Sequence, residues 1–197
     1  MPDDFVNLVL TDIPYEQVSK KSNGLRVIDK GDADTLDFDI KDFLVELNRV
    51  CKGSIYVFCA SEQVSLVRAT MVDLGLSTRH CIWEKTNPSP MNGQYIWLSS
   101  IENCIYGKKA KATFNEHCKS SVWRFPNGRS KVHPTEKPLK LFEYLVETSS
   151  NEGDLVFDPC AGHATTCKAA MNLVRNFIAT EKNTKYYNDA LERLAAA

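Results

Sequence analysis

Three observations predict an α/β fold with a predominantly parallel sheet and helices on both faces. Short β-rich runs alternate along the chain with segments of helical periodicity. The last third packs a strand, a glycine-bearing turn, a helix and a second strand into close succession, and Glu181 closes that unit. The 197 residues, 43% of them hydrophobic, suffice for one sizeable core, so the length favours a single domain spanning 1–197.

Residues 5–11 form an apolar run that reads as a buried strand ending at Asp12-Ile13-Pro14-Tyr15, and a long polar loop over about 16–38 follows. Ile40, Phe43, Leu44, Leu47 and Val50 recur at helical spacing. Lys52-Gly53 reads as the stop of that helix, ahead of a strand over 54–60. Ser61 is a predicted N-cap for a helix with Val64, Val67, Met71 and Leu74 on its buried face, and Gly75 ends it. Strands are predicted over 78–85 and 101–106; the Asn-, Pro-, Gly-, Ser- and Lys-rich stretches between and after them read as loops or a small insertion. Leu139, Phe142, Leu145 and Val146 share one face of a helix over 138–149. A strand over 154–157, a helix over 165–174, a strand over 176–180 and an amphipathic helix over 184–194 complete the chain.

The first twenty residues lack a basic segment followed by an apolar one, and no apolar run approaches the roughly 18 residues of a membrane helix, which predicts a soluble, cytoplasmic protein. Seven cysteines without Cys-x-x-Cys spacing, several in apolar runs, read as reduced thiols. His80-Cys81 and His117-Cys118 have no second ligand pair at zinc-finger spacing, so no metal is expected.

The net charge of −1 hides an uneven distribution. Residues 105–140 carry nine Lys or Arg against Glu116 and Glu136, a local +7 that leaves −8 for the rest. Such a stretch is the electrostatic footprint of a polyanion partner, although a solvated basic loop gives the same pattern. The cations in question are Lys108, Lys109, Lys111, Lys119, Arg124, Arg129 and Lys131, within a basic insertion at about 105–132. Phe114, Trp123 and Phe125 interleave with them, which suits base stacking or wedging as well as a partly buried hairpin.

Asp158-Pro159-Cys160-Ala161-Gly162-His163-Ala164-Thr165-Thr166 lies where a strand gives way to a helix. Small residues there admit a ligand to the backbone, and the helix start presents N–H groups. Glu181, 23 residues after Asp158, ends the next strand, where a carboxylate can accept both hydroxyls of a ribose. His133-Pro134-Thr135-Glu136-Lys137-Pro138 precedes the long helix, and Asp12-Ile13-Pro14-Tyr15 ends the first strand.

Together these segments resemble the beta-class, permuted DNA amino-methyltransferases that modify adenine N6 or cytosine N4. The turn resembles the family's Asp-Pro-Phe-x-Gly-x-Gly-Thr-Thr, with Cys160 for Phe and Ala164 for the last Gly. The hexapeptide resembles His-Pro-Thr-x-Lys-Pro, Trp83-Glu84-Lys85 with Asn87-Pro88 resembles a Trp-x-Lys segment, and Asp12-Ile13-Pro14-Tyr15 resembles the catalytic Asp-Pro-Pro-Tyr. The resemblance implies a circularly permuted, Rossmann-like methyltransferase fold and S-adenosylmethionine as cofactor. It places that cofactor against Asp158, Pro159, Cys160, Ala161, Gly162, Ala164, Thr165, Thr166 and Glu181, with His133, Thr135 and Lys137 near its methionine part.

In that reading Asp12 accepts a hydrogen bond from the target amine, Ile13 adds its carbonyl, Pro14 shapes the turn and Tyr15 stacks on the extruded base. Ile13 in place of Pro restores an N–H and frees φ, which predicts a looser catalytic loop. Only four residues precede Phe5, so the edge strand that grips the cofactor adenine in the family is expected to be missing or replaced. The implied partner is double-stranded DNA, and homodimers are typical of the class. An acid at the first catalytic position implies transfer to adenine N6 in a relaxed or short target. The alternatives are cytosine-N4 or RNA methylation by the same site, or a decayed, non-catalytic nucleic-acid-binding protein. A nicotinamide dehydrogenase is disfavoured because G-x-G-x-x-G is absent.

Overall fold

The computed structural model describes residues 1–15, 36–90, 93–128 and 137–196. The described residues build one seven-stranded sheet from β1 (Val6–Asp12), β2 (Cys51–Cys59), β3 (Ser77–Lys85), β4 (Ile101–Lys108), β5 (Val122–Phe125), β6 (Leu155–Asp158) and β7 (Asn176–Ala179). Their order is β5-β3-β4-β2-β1-β6-β7, and only β4 runs against its neighbours, so the sheet is predominantly parallel as expected. No described strand lies outside β7, where the adenine-gripping edge strand was in question.

Five helices cover the sheet: α1 (Ile40–Val50), α2 (Val64–Asp73), α3 (Leu139–Ser149), α4 (Thr165–Asn172) and α5 (Thr184–Ala195). Val9, Ile55 and Val57 point to the face that receives Leu44, Leu47 and Val50 of α1 and Val67 and Met71 of α2. Leu8, Leu10, Tyr56 and Phe58 point to the other face, against Leu141, Phe142 and Leu145 of α3 and Ala169 and Ala170 of α4. Burial on both faces explains why β1 and β2 read as continuous apolar runs rather than alternating ones. Asp39 starts α1 by accepting hydrogen bonds from the N–H groups of Lys41 and Asp42 at 2.7 and 3.0 Å, a cap worth about 0.5–2 kcal/mol.

Several local expectations differ from the structure. Gly53 does not stop α1; it lies inside β2, which starts at Cys51. The β1–β2 register slips there, from Val6 opposite Cys51 to Leu8 opposite Ser54, and a Cβ on Gly53 would lie 1.9 Å from the Asn7 carbonyl oxygen. The glycine therefore permits a bulge rather than a cap. Ser61 does not cap α2: Gln63 is the N-cap residue, without a side-chain cap bond, while Gly75 ends the turn with φ of +81° as its type predicts. The stretch expected to be loop contains β5, whose Trp123 pairs with Trp83 of β3 and is buried in the core. Trp123 is thus a core residue rather than a wedge, but it sits on a strand parallel to β3 and not in the expected hairpin.

Candidate active site

Parallel strands aim their carboxyl ends at one edge of the sheet, and here that edge opens into a cleft of about 1090 Å³. It joins Asp12, Ile13, Pro14 and Tyr15 after β1 to residues 158–163 after β6, Thr165 and Thr166 of α4, and Glu181 after β7. Lys137, just ahead of α3, also lines it. Arg129, Lys131, His133 and Thr135 lie outside the described residues.

The glycine turn is held from several sides. Glu181 accepts from the Gly162 N–H through one oxygen and from the Asn183 N–H through the other, each at 2.7 Å. Arg193 on α5 donates to the His163 carbonyl at 2.7 Å. Gly162 adopts φ of +49° and Ala164 φ of 57°, so the chain crosses the left-handed region twice before α4 begins. No atom lies within 4 Å of the point where a Cβ would project from Gly162, so a ligand has room to approach the backbone. Asp158 accepts from the Thr166 hydroxyl at 2.6 Å and the Cys160 N–H at 3.1 Å, and burial pushes its carboxyl up to about 6.

Asp12 has a different set of partners. One oxygen accepts from the Tyr15 hydroxyl at 2.8 Å and the other from the Lys137 ammonium at 2.5 Å. Lys137 also reaches Glu102 at 2.9 Å, and the second Glu102 oxygen pairs with Lys85 at 2.9 Å, so acid and base alternate from Asp12 to Lys85. Burial raises the Asp12 pKa against the pull of Lys137. Burial also opposes the charge on Lys137, yet Asp12, Tyr15 and Glu102 hold its ammonium well above the usual lysine range. Its cation sits 5.4 Å from the Tyr15 ring centre and 5.7 Å from that of Phe58.

The looser catalytic loop expected from Ile13 is not found. Its restored N–H donates to the Phe58 carbonyl at 3.1 Å, carrying the β1–β2 ladder one residue beyond Asp12, and its side chain is buried among the α1 residues. A proline could not make that bond. Gln63 adds a second tie by donating to the Pro14 carbonyl at 3.0 Å while accepting from the Ala60 N–H at 2.9 Å. Sequence reasoning missed Gln63 and Glu102 as site residues. Glu102 had one faint signal, the single carboxylate of a largely buried strand, β4.

Among the described residues, the predicted DNA-contacting cations are not brought together. Lys108 lies opposite Ser54 and Ser77, the starts of neighbouring strands, and so at the end of the sheet away from Asp12. Lys109 is paired there with Asp4 at 2.8 Å, and exposed Lys111 follows it in the chain. Lys119 pairs with Glu116 at 3.3 Å. Arg124 is on β5, paired with Glu84 at 3.0 Å, toward the cleft end of that edge strand.

The chain resembles known proteins in sequence and in fold. The sequence profile of the N6/N4 DNA methylase family matches residues 6–192. The Type II methyltransferase M.HinfI of Haemophilus influenzae is 30% identical over 98% of this chain, which spans 64% of that relative's length. The DNA adenine methyltransferase YhdJ of Escherichia coli is 26% identical over the whole chain and 79% of its own. The crystal structure of M1.HpyAVI in complex with S-adenosylmethionine superposes with a TM-score of 0.75 at 25% identity, covering 96% of this chain and 89% of that one. The cytosine-N4-specific PvuII DNA methyltransferase shares the fold at 18% identity, with a TM-score of 0.74 over 98% of this chain and 80% of its own. The chain belongs to the N6/N4 DNA methylase family.

Proposed function

We propose that this protein transfers a methyl group from S-adenosylmethionine to the exocyclic N6 of adenine in double-stranded DNA. The observation that carries the reading is the Asp12 carboxylate, held at the end of β1 in the same cleft as the Gly162 turn and Glu181. In this reading the turn and Glu181 hold the cofactor, which supplies an electrophilic methyl. Glu181 keeps acceptor capacity for ribose hydroxyls beyond its two backbone bonds. Asp37 and Phe38 line the cleft as well, and with Phe43, stacked on Phe38 at 4.5 Å, they stand in for the edge strand that the described residues do not form beyond β7. The order of the strands, with β1 and Asp12 ahead of β6 and its glycine turn, supports the permuted reading.

An exocyclic amine is a weak nucleophile because its lone pair is delocalised into the ring. Asp12 and the Ile13 carbonyl, by accepting its two N–H bonds, direct that lone pair toward the methyl donor. Asp12 must first exchange one present partner, and Glu102 is positioned to retain Lys137 when that happens. Its raised proton affinity also suits Asp12 to take up the proton the amine loses. Tyr15 beside it offers the aromatic face for an extruded base. The relative named as an adenine methyltransferase supports N6 over cytosine N4, and a bacterial cytoplasm is the setting its bacterial relatives support.

The test is incubation of purified protein with unmethylated duplex and methyl-labelled S-adenosylmethionine, followed by nucleoside analysis. Label in N6-methyladenine is expected. Label in N4-methylcytosine would replace the target, and no label with cofactor bound would favour a decayed, DNA-binding protein.

A further inference from the structure

Residues 93–100, leading into β4, carry the largest apolar exposure of the described residues. Trp97 is 96% exposed, Tyr95 81% and Ile96 68%. These side chains crown a closed structure: the Lys85 N–H donates to the Ser100 carbonyl at 2.7 Å at the base, and Leu98 folds back over Gly93. β3 ends and β4 begins at the cleft, and Ser99, two residues beyond Trp97, lines it. The tip therefore stands at the rim of the site that holds Asp12.

We infer that the Tyr95-Ile96-Trp97 tip is a wedge for the base stack of duplex DNA, filling the space an extruded adenine leaves. The inference rests on the proposed function. Extrusion costs unstacking energy, and an apolar side chain inserted between base steps offsets it. No acidic residue occurs from 86 to 100, so the loop meets a phosphate backbone without repulsion. Gln94 beside the tip brings an amide suited to base edges. The core position of Trp123 removes one of the three aromatics that the basic stretch had offered for this role.

Of the three tryptophans, Trp83 and Trp123 are buried, so Trp97 reports on its own surroundings. Duplex DNA is expected to quench its emission and shield it from acrylamide, with the response absent in Trp97→Phe. Trp97→Ala is expected to slow methyl transfer to a paired adenine roughly tenfold to a hundredfold, the scale of one lost stacking contact. The same variant should match wild type on single-stranded DNA, where nothing needs to be extruded. Equal rates of variant and wild type on duplex, or equal slowing on both substrates, would overturn the wedge alone. A free protein that is dimeric, with Trp97 already shielded and the dimer lost in Trp97→Ala, would assign the tip to a second copy instead. A wild type that labels neither substrate brings down the proposed function itself.

Discussion

Two neighbouring parallel strands, β1 and β6, each end in an aspartate that lines the same cleft, yet the two carboxylates are built for different work. Asp158 is 4% exposed and held by uncharged donors, a hydroxyl and a backbone N–H. Those bonds shape the turn between β6 and α4, and with no cation against it burial takes the carboxyl to about 6. The Asp12 side chain keeps 31% exposure at the cleft and faces a lysine and a tyrosine hydroxyl that can both be exchanged. Position at a strand end makes a carboxylate available to a ligand; its partners decide whether it braces the backbone or meets the substrate.

The largest effect that separates them should come from Asp12→Ala. Methyl transfer is expected to fall by about 10²–10⁴-fold with cofactor affinity nearly unchanged, as single-turnover rates and calorimetric titration would show. Lys137→Met leaves two carboxylates, Asp12 and Glu102, without their shared cation. A loss of about 1–3 kcal/mol is expected, the lower end for a buried pair because Asp12 keeps partial exposure, and thermal unfolding would read it as a midpoint lower by several degrees.

Asp158 offers a pH signature in stability, and Asp12, whose carboxyl burial also raises, contributes in the same direction. The folded pKa of Asp158 is raised, so the native state holds a proton that the unfolded chain has lost, and stability should decline as pH rises from about 4 to about 6 and then level. The two-unit shift corresponds to about 3 kcal/mol over that window, and Asp158→Asn should remove that share of the slope in denaturant midpoints. The smallest effect should come from Ile13→Pro, which deletes the bond to the Phe58 carbonyl at a cost of about 1 kcal/mol plus lost packing. Faster proteolysis next to Pro14 and Tyr15 in that variant would show that the Ile13 N–H anchors this strand end.

The contrast between the two strand ends also marks what the sequence could reveal. The unit from β6 to α5 is legible because its signals are local: a short apolar strand, small residues in a turn, helical periodicity and an acid at the next strand end. Tyr15, one partner of Asp12, is local, but Lys137 is 125 residues away and its second acid, Glu102, comes from the middle of the chain, and no spacing rule links them. β5 escaped notice because four residues flanked by serines and a proline look like loop until Trp123 is seen pairing with Trp83. The basic stretch misled in another way. It begins inside β4 and passes through β5, so a continuous run of charge is dispersed over both ends of the sheet.

The most direct test of this division of labour is single-turnover methyl transfer at saturating S-adenosylmethionine, with cofactor affinity measured on the same preparations of wild type, Asp12→Asn and Glu181→Ala. Asp12→Asn is expected to bind cofactor like wild type and transfer little methyl; Glu181→Ala should bind weakly and recover its rate as cofactor is raised. Wild-type transfer in Asp12→Asn, or loss of cofactor binding in that variant, would contradict the assignment of Asp12 to the target amine.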